Sequence, residues 1–247
     1  MELKLLKEEI YRGELILVNA GHPIRRKFSN KLIPFTRKNV LLHARAASML
    51  VHLMSEIEHE DEIVPVSGYR PEHEQEAIYW NSVRDNGKEF TKQYVALPGR
   101  SEHQTGLAID LGENTEDIDF IRPNFPYTGI FGEFREKASK YGFIERYRSG
   151  KEEITGISHE PWHFRYVGYP HAEIIKKMDI CFEEYIELLK QYEVGKEHFV
   201  FQHKENHIEI FYVPATGDET YINMPDGVPY QISGNNSDGF IITVWKV

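Results

Sequence analysis

Two short segments of the sequence contain side chains of types that can bind metals or transfer protons. In SEHQTGLAID, residues 101–110, His103 and Asp110 stand near the two ends, and in HEPWH, residues 159–163, Glu160 precedes His163 by three positions. A carboxylate that is buried without a partner loses several kcal/mol of solvation, so an acid in an apolar segment needs a cation or a metal. The sequence therefore raises the question of what neutralises Asp110.

A zinc ion is one answer. Hydrolytic zinc is commonly held by three protein ligands drawn from histidine and carboxylate, and the fourth position is left for water. His103, Asp110 and His163 supply such a set. Spacing alone leaves ordinary roles open, because each histidine can be a hydrogen-bonded or surface residue and Asp110 can be a salt-bridge partner.

Glu160 and Arg70 are candidates for the chemistry itself. A regular strand would place Glu160 on the face opposite His163, but Pro161 removes a ladder donor, so we expect a bend that turns Glu160 toward the metal. A carboxylate there can accept a proton from water and pass it to a leaving amine. The guanidinium of Arg70 can stabilise an oxyanion. The alternatives are a solvated loop acid for Glu160 and, for Arg70, an ion pair with an acid of the following helix.

Predicted strands position these residues. Residues 106–112, GLAIDLG, alternate so that Asp110 lies on a face of small residues, which leaves room beside its carboxylate. Residues 63–67, IVPVS, form a strand whose internal proline indicates a sheet edge or a bulge. Three further segments are strand-like: 15–18 (LILV), 142–147 (GFIERY) and 162–168 (WHFRYVG).

Helices and a second group of strands complete the predicted fold. Beyond Tyr192, short alternating segments separated by turn sequences predict an antiparallel β unit, with a boundary near Val194. The expected class is α+β. Helices pack around a small antiparallel sheet that carries the zinc site in residues 1–193, and residues 194–247 form a small β-rich extension. Helical periodicity places helices at about 38–58, 71–86, 132–141, 170–178 and 181–191.

Composition narrows the class of partner. The chain has 247 residues, 40% hydrophobic and 13% aromatic, which fits a globular protein, and its net charge of −10 without basic runs argues against nucleic acid. We find neither a signal-peptide pattern nor an apolar segment of membrane-spanning length. Cys181, the one cysteine, has no internal disulfide partner and falls in a helical pattern, where we expect a buried structural thiol. We expect a cytoplasmic enzyme with a small partner and leave its oligomeric state open.

Three blocks of the sequence resemble, in order, the signatures of the zinc D-Ala-D-Ala carboxypeptidases of the VanY, VanX and VanXY type. These blocks are SGYRPEHEQ, SEHQTGLAIDLG and EPWHFRYVG, and the resemblance covers about residues 15–190. The positions that match the family patterns are Ser67 to Arg70, Ser101, His103, Gly106, Ala108, Asp110, Glu160, Trp162 and His163.

The resemblance implies a role for each matching residue. It implies that His103, Asp110 and His163 bind one Zn2+, that Glu160 is the catalytic base and that Arg70 assists the scissile carbonyl. It also implies that Gln75 and Ser101 contact the substrate.

The resemblance further implies a substrate, a peptide ending in D-Ala-D-Ala. VanY-type enzymes are typically anchored and trim pentapeptides, VanX-type enzymes split the free dipeptide, and soluble VanXY-type enzymes do both. The missing anchor favours the VanXY type. We therefore expect a D,D-carboxypeptidase that is also a D,D-dipeptidase and removes the target of vancomycin-type antibiotics.

Three alternatives stay open. A resemblance to relatives of the LdcB type implies L,D-carboxypeptidase action on tetrapeptides. A Hedgehog-like relative implies a zinc-stabilised binding module without activity, although such a module needs neither Glu160 nor Arg70. A non-haem iron oxygenase is disfavoured, because its histidine and carboxylate usually stand two positions apart, whereas His103 and Asp110 stand seven apart.

Overall fold

The computed structural model describes residues 1–26, 31–35, 40–203 and 206–246. The chain divides into two compact units, one of residues 18–181 and one that combines residues 1–17 with residues 182–247. In chain order the strands are β1 (Glu2–Leu6), β2 (Leu32–Phe35), β3 (Val40–His43), β4 (Ile63–Ser67), β5 (Ala108–Glu113), β6 (Phe143–Tyr147), β7 (Glu160–Tyr166), β8 (Phe199–His203), β9 (Asn206–Pro214), β10 (Glu219–Asn223), β11 (Tyr230–Gly234) and β12 (Gly239–Lys246). The α-helices are α1 (Ala44–Met54), α2 (Glu72–Asn86), α3 (Lys88–Tyr94), α4 (Gly129–Ala138), α5 (Glu152–Thr155), α6 (His171–Met178) and α7 (Phe182–Lys190).

The unit of residues 18–181 is organised around a four-stranded antiparallel sheet in the order β4-β5-β7-β6. β4 lies at an edge, and its pairing with β5 shifts register between Pro65 and Ser67. The edge position and the bulge predicted from Pro65 are therefore both present. Helices accompany this small sheet, which confirms the α+β class.

The two faces of β5 and β7 have different surroundings. Ile109 of β5 is paired with Phe164 of β7, and the Phe164 ring packs edge-on against Phe134 of α4 with centroids 4.9 Å apart. The next pair along the ladder is Asp110 with His163. Because side chains alternate between faces, the apolar pair points to the core and the polar pair to the other side. The predicted alternation of residues 106–112 is confirmed.

Two predicted elements differ from the structure. The helix predicted over residues 38–58 begins at Ala44, because residues 40–43 pair with β2 as a strand; residues 38 and 39 lie outside the described residues. The strand predicted at residues 15–18 is wrong. The amide N–H of Leu15 donates to the side chain of Ser233 in β11, at 2.8 Å from its Oγ, and that of Leu17 donates to the carbonyl of Asn235 just after β11. These two bonds do not build a ladder. Residues 15–18 are apolar because their side chains are buried, and not because they form a strand.

The remaining helices agree with prediction within a few residues. α2 starts directly after Pro71 and ends at Gly87, α4 continues through one 3-10 turn to Gly142, and α6 and α7 cover the two last predicted helices. The short helix α3 was not predicted. Cys181, just before α7, is buried as expected.

The other unit is rich in antiparallel strands, as the alternation beyond Tyr192 predicts. One sheet has the order β11-β12-β9-β8, and β10 pairs with β1 from the start of the chain. The observed division after Cys181 differs from the predicted boundary near Val194, since α7 and residues 1–17 belong with these strands. Among the described residues, no helix has the length and apolar character needed to cross a membrane.

Candidate active site

Three side chains on and beside the two inner strands of the four-stranded sheet have the geometry of a metal site. His103, Asp110 and His163 are buried, and one potential ligand atom from each lies within 4.8 Å of the others. His103 Nε2 is 3.1 Å from Asp110 Oδ2, and His163 Nδ1 is 2.8 Å from Asp110 Oδ1. The carboxylate thus lies between two imidazole nitrogens, as the sequence predicts for a shared cation.

The backbone explains why residues so far apart in sequence meet. Asp110 and His163 are direct partners in the β5–β7 ladder, and opposite side chains in an antiparallel pair share a face. His103 comes from a 3-10 turn, residues 102–105, that ends at Gly106 with φ +71°. A Cβ at Gly106 would lie 3.0 Å from the backbone nitrogen of His43, so only glycine lets the turn pack this closely against β3.

The hydrogen bonds of His103 leave one nitrogen free for a metal. Its Nδ1 is 2.7 Å from the carbonyl oxygen of Gly68. Since a carbonyl only accepts, Nδ1 carries the proton, and Nε2 presents its lone pair toward Asp110. Two imidazole nitrogens and a carboxylate are donors that suit zinc, so the residues present fit the predicted ion.

Asp110 is held in its charged form. Burial opposes ionisation, but His103 and His163 outweigh it and keep the pKa of Asp110 well below its usual range. Burial lowers the pKa of His103, which keeps that ring neutral. Metal binding requires an anionic carboxylate and neutral imidazoles. His163, whose pKa is about 9 because Asp110 and Glu102 outweigh the effect of burial, would therefore lose a proton when a metal binds.

Glu160 lies beside the three potential ligands. The β6–β7 register shifts between Glu145 and Tyr147, so that Glu160 pairs with Tyr147 and its Oε2 lies 3.8 Å from His163 Nδ1. The bend expected at Pro161 is therefore present. Burial raises the pKa of Glu160 to about 8, and the Asp110 carboxylate adds to this effect. A divalent cation nearby would oppose both effects and favour the carboxylate.

Arg70 is held over the same cavity. Its Nη1 donates to Gln75 Oε1 at 2.8 Å, and its Nη2 donates to Ser67 Oγ at 2.7 Å and lies 3.9 Å from Asp110 Oδ2. Gln75 Nε2 donates in turn to the Ala96 carbonyl. These contacts direct the guanidinium toward Asp110 instead of toward solvent.

All seven residues singled out from the sequence line one cavity of about 50 Å³. Its wall includes Arg70, Gln75, Ser101, His103, Asp110, Glu160 and His163. Sequence reasoning missed other residues of the wall, among them Glu102, Phe120 and Tyr147. The Tyr147 ring lies 4.9 Å from that of His163, and the Arg70 guanidinium lies 5.7 Å from the centre of the Phe120 ring. Only Glu102 had a signal in the sequence, its place beside His103.

A larger cavity of about 640 Å³ adjoins this one. Both cavities share the wall residues Val95, Ala96, Tyr147 and Ile157. The larger cavity is also lined by three cationic side chains, Lys88, Lys92 and Arg100, and by the exposed ring of Trp80.

Comparison with known proteins agrees with this geometry. The model of the VanY family, D-alanyl-D-alanine carboxypeptidase, matches residues 39–169. Over 181 residues the chain is 44% identical to the bifunctional D-Ala-D-Ala dipeptidase and D-Ala-D-Ala carboxypeptidase VanXYC of Enterococcus gallinarum, a match that covers 72% of this chain and 95% of the relative.

Two solved structures extend the likeness to the fold. The vancomycin resistance D,D-dipeptidase VanXYg, in complex with a D-Ala-D-Ala phosphinate analog, matches with a TM-score of 0.97 and 52% identity over 100% of this chain and 99% of that chain. The D,D-pentapeptidase VanY from the VanB-type resistance cassette, in complex with Zn(II), matches with a TM-score of 0.58 and 31% identity over 70% of this chain and 98% of that chain. The chain therefore belongs to the VanY family of D-alanyl-D-alanine carboxypeptidases.

Proposed function

We propose that this protein is a zinc-dependent D,D-peptidase that releases D-Ala from peptides ending in D-Ala-D-Ala, both the free dipeptide and longer muramyl peptides. The observation that carries the proposal is the arrangement of one cavity. His103, Asp110 and His163 converge there, and Glu160 Oε2 lies 3.8 Å from the His163 nitrogen that faces Asp110. The family membership of the chain supports the same activity.

In this proposal the three converging side chains hold one zinc per chain. When bound there, zinc supplies Lewis-acid chemistry, which lowers the pKa of water and polarises a carbonyl. His103 is ready for this role because its Nδ1 proton is already engaged by the Gly68 carbonyl. Asp110 contributes the negative charge that offsets the ion.

Glu160 is the proton-transfer residue of the proposal. It accepts a proton from the attacking water as the water oxygen adds to the scissile carbonyl carbon. It then delivers that proton to the departing amine as the C–N bond breaks, which leaves a new carboxylate and free D-Ala. Its burial in the cavity keeps this proton from exchanging freely with solvent.

Arg70 stabilises the oxyanion that forms on the carbonyl oxygen. Its two terminal nitrogens are fixed by Gln75 and Ser67, so the charge is oriented before substrate arrives. Gln75 and Ser101 line the same cavity and contact the substrate in this proposal. Because Gln75 already bonds to Arg70 and Ala96, it also acts by holding the guanidinium in place.

The larger cavity supports action on longer peptides. It adjoins the cavity of the converging ligands, and a volume of about 640 Å³ accommodates residues that precede D-Ala-D-Ala. Lys88 and Lys92 lie one turn apart on α3 and line it. They provide positive charge for the carboxylates of a longer peptide in a chain whose net charge is −10.

One assay tests the proposal. The purified protein is incubated with D-Ala-D-Ala, with a muramyl pentapeptide and with the corresponding tetrapeptide, with and without a chelator, and free D-Ala is quantified. We expect release from the first two substrates and its loss with the chelator. Release from the tetrapeptide alone would establish the L,D-carboxypeptidase alternative, and no release from any substrate would refute enzymatic function.

The physiological part of the proposal is glycopeptide resistance exerted in the cytoplasm. A chain with a single, buried cysteine makes no internal disulfide, which suits a reducing compartment. The protein should be expressed in a glycopeptide-susceptible host that makes some precursors without D-Ala-D-Ala. We expect this expression to raise the resistance of the host to vancomycin. An equal effect from a Glu160→Gln variant would show that the activity is not the cause.

A further inference from the structure

Glu102 is a fully buried carboxylate to which none of the roles above assigns a function. Its side chain has 0% exposure, and a buried charge persists only when it is paired. Arg146 Nε donates to Glu102 Oε1 at 2.9 Å, and Arg165 Nη1 donates to the same oxygen at 3.0 Å. Two buried arginines thus converge on one oxygen and stabilise the carboxylate in its ionised form.

The second oxygen of Glu102 faces a metal-ligand candidate. Oε2 lies 3.5 Å from Nε2 of His163. Both atoms are buried, and within the part of the chain that the structure describes neither has a hydrogen-bond partner. Buried polar atoms normally have a hydrogen-bond partner. When the imidazole nitrogen carries a proton, it can donate to the carboxylate oxygen that faces it.

The position of His163 decides which nitrogen carries the proton. Nδ1 faces the Asp110 carboxylate at 2.8 Å, so Nδ1 is the nitrogen on the side of the converging ligands. A neutral imidazole that gives the lone pair of Nδ1 to a metal carries its proton on Nε2, and that proton then points to Glu102 Oε2. The same division holds for His103 with its nitrogens exchanged, where the Gly68 carbonyl engages Nδ1 and Nε2 faces Asp110.

The two histidines therefore differ in the acceptor behind them. His103 has a neutral carbonyl behind it, whereas His163 has a carboxylate whose other oxygen is fixed by two arginines. An anionic acceptor makes the imidazole a stronger donor to a metal. Because both arginines bind Oε1, rotation of the Glu102 side chain is prevented and Oε2 stays directed at His163.

We propose that Glu102 is a positioning residue for the zinc site, which fixes His163 with its proton on Nε2 and its lone pair on Nδ1 directed at the metal. Arg146 and Arg165 support it by holding the carboxylate. This inference rests on the proposed zinc site. It assigns Glu102 no contact with substrate and no proton transfer in the reaction.

Metal affinity measures this role directly. In the full-length protein, Glu102→Gln keeps the size of the side chain and removes its charge. Competition with a chromophoric chelator should show zinc affinity lowered about 10- to 100-fold, the usual cost of losing a carboxylate behind a metal-bound histidine. Cobalt substituted for zinc should show altered d–d absorption bands, because His163 is no longer held in one orientation. A role confined to stability would lower the melting temperature of the metal-free protein and leave both readouts unchanged.

Two further variants keep the test decisive. Glu145→Gln is the matched control, because Glu145 is a largely buried acid of the same sheet that pairs with Arg135 at 2.9 Å, and it should bind zinc like the wild type. Glu102→Asp keeps the charge for the arginines but shortens the side chain, so it should fold and still bind zinc more weakly. If wild-type protein binds no zinc, the proposed metal site fails. If wild type binds zinc and a folded Glu102 variant binds it with equal affinity and an unchanged cobalt spectrum, the role of Glu102 is refuted.

Discussion

Replacing Glu160 by glutamine separates proton transfer from metal binding. Glutamine has nearly the shape of glutamate, so the buried pocket keeps its packing while the proton acceptor is lost. Glu160 is not part of the group of converging ligand atoms, and its Oε2 is 3.8 Å from His163 Nδ1. The variant should therefore retain one zinc per chain.

The magnitude follows from the role that the geometry gives to Glu160. General acid–base catalysis contributes about 10²- to 10⁴-fold, so release of D-Ala should fall by that factor, which corresponds to about 3 to 5 kcal/mol of transition-state stabilisation. The assay measures D-Ala release from the dipeptide at saturating zinc, together with the zinc content of the same sample. Glu145→Gln serves as the control for loss of a largely buried acid and should keep both values.

The same variant also tests how the stability of the metal-free protein depends on pH. Burial, followed by the Asp110 carboxylate, raises the pKa of Glu160 from 4.5 to about 8. A raised pKa means that the contribution of this group to stability is fully present below pH 4.5 and is lost as the pH rises through about 8, a loss of up to about 5 kcal/mol. In chelator, the wild type should therefore lose stability relative to Glu160→Gln between pH 5 and 8. A stability difference between the two proteins that does not change over this pH range would contradict this account of Glu160. Near-wild-type activity of the variant, or loss of its zinc, would also contradict it.

Four other perturbations have defined outcomes. His163→Ala should lower zinc affinity and activity together, as measured by chelator competition and D-Ala release, and activity retained without zinc would contradict the metal site. Arg70→Ala should keep its zinc and lose about 2.7 to 4 kcal/mol of transition-state stabilisation in kcat/KM, the cost of removing one oxyanion donor; an unchanged value would exclude it from the reaction. Lys88→Glu combined with Lys92→Glu should raise KM for a muramyl pentapeptide several-fold and leave dipeptide turnover unchanged. Lys177→Glu, an exposed change on α6, is the control. If the double variant has wild-type kinetics on both substrates, this wall of the larger cavity does not bind substrate. Truncation after residue 193 removes β10, the partner of β1, and should make the start of the chain sensitive to limited proteolysis, whereas full resistance would show that β1 needs no partner.

Local pattern placed Asp110 and Glu160 correctly on their strands, whereas the proposed ligand roles of His103, Asp110 and His163 came from the family resemblance, because spacing alone left other roles open. The alternation of GLAIDLG places Asp110 on the polar side of a strand, and the proline of EPWH indicates the irregularity that turns Glu160 toward His163. Both features depend only on residues that are neighbours in sequence. The alternation of side chains along a strand and the geometry of proline are properties of the local chain. For the same reason most helices and strands were predictable within a few residues.

Contacts between distant segments were not predictable in this way. The apolar run at residues 15–18 has the composition of a strand, but a strand needs a ladder partner. Leu15 and Leu17 instead donate to Ser233, near the end of β11, and to Asn235, just after it. Likewise, β1 pairs with β10 more than 200 positions away, which places the start of the chain in one unit with residues 182–247.

The sequence by itself determined which side chains are candidates for the chemistry, since residue type and local period are properties of the chain. Only the tertiary structure decided how those side chains are oriented and charged. Arg70 points to Asp110 because Ser67 and Gln75 hold it, and the proton of His103 is placed by the Gly68 carbonyl. Hydrogen-bond direction and desolvation depend on which groups surround an atom in space, and no periodicity in the sequence encodes them.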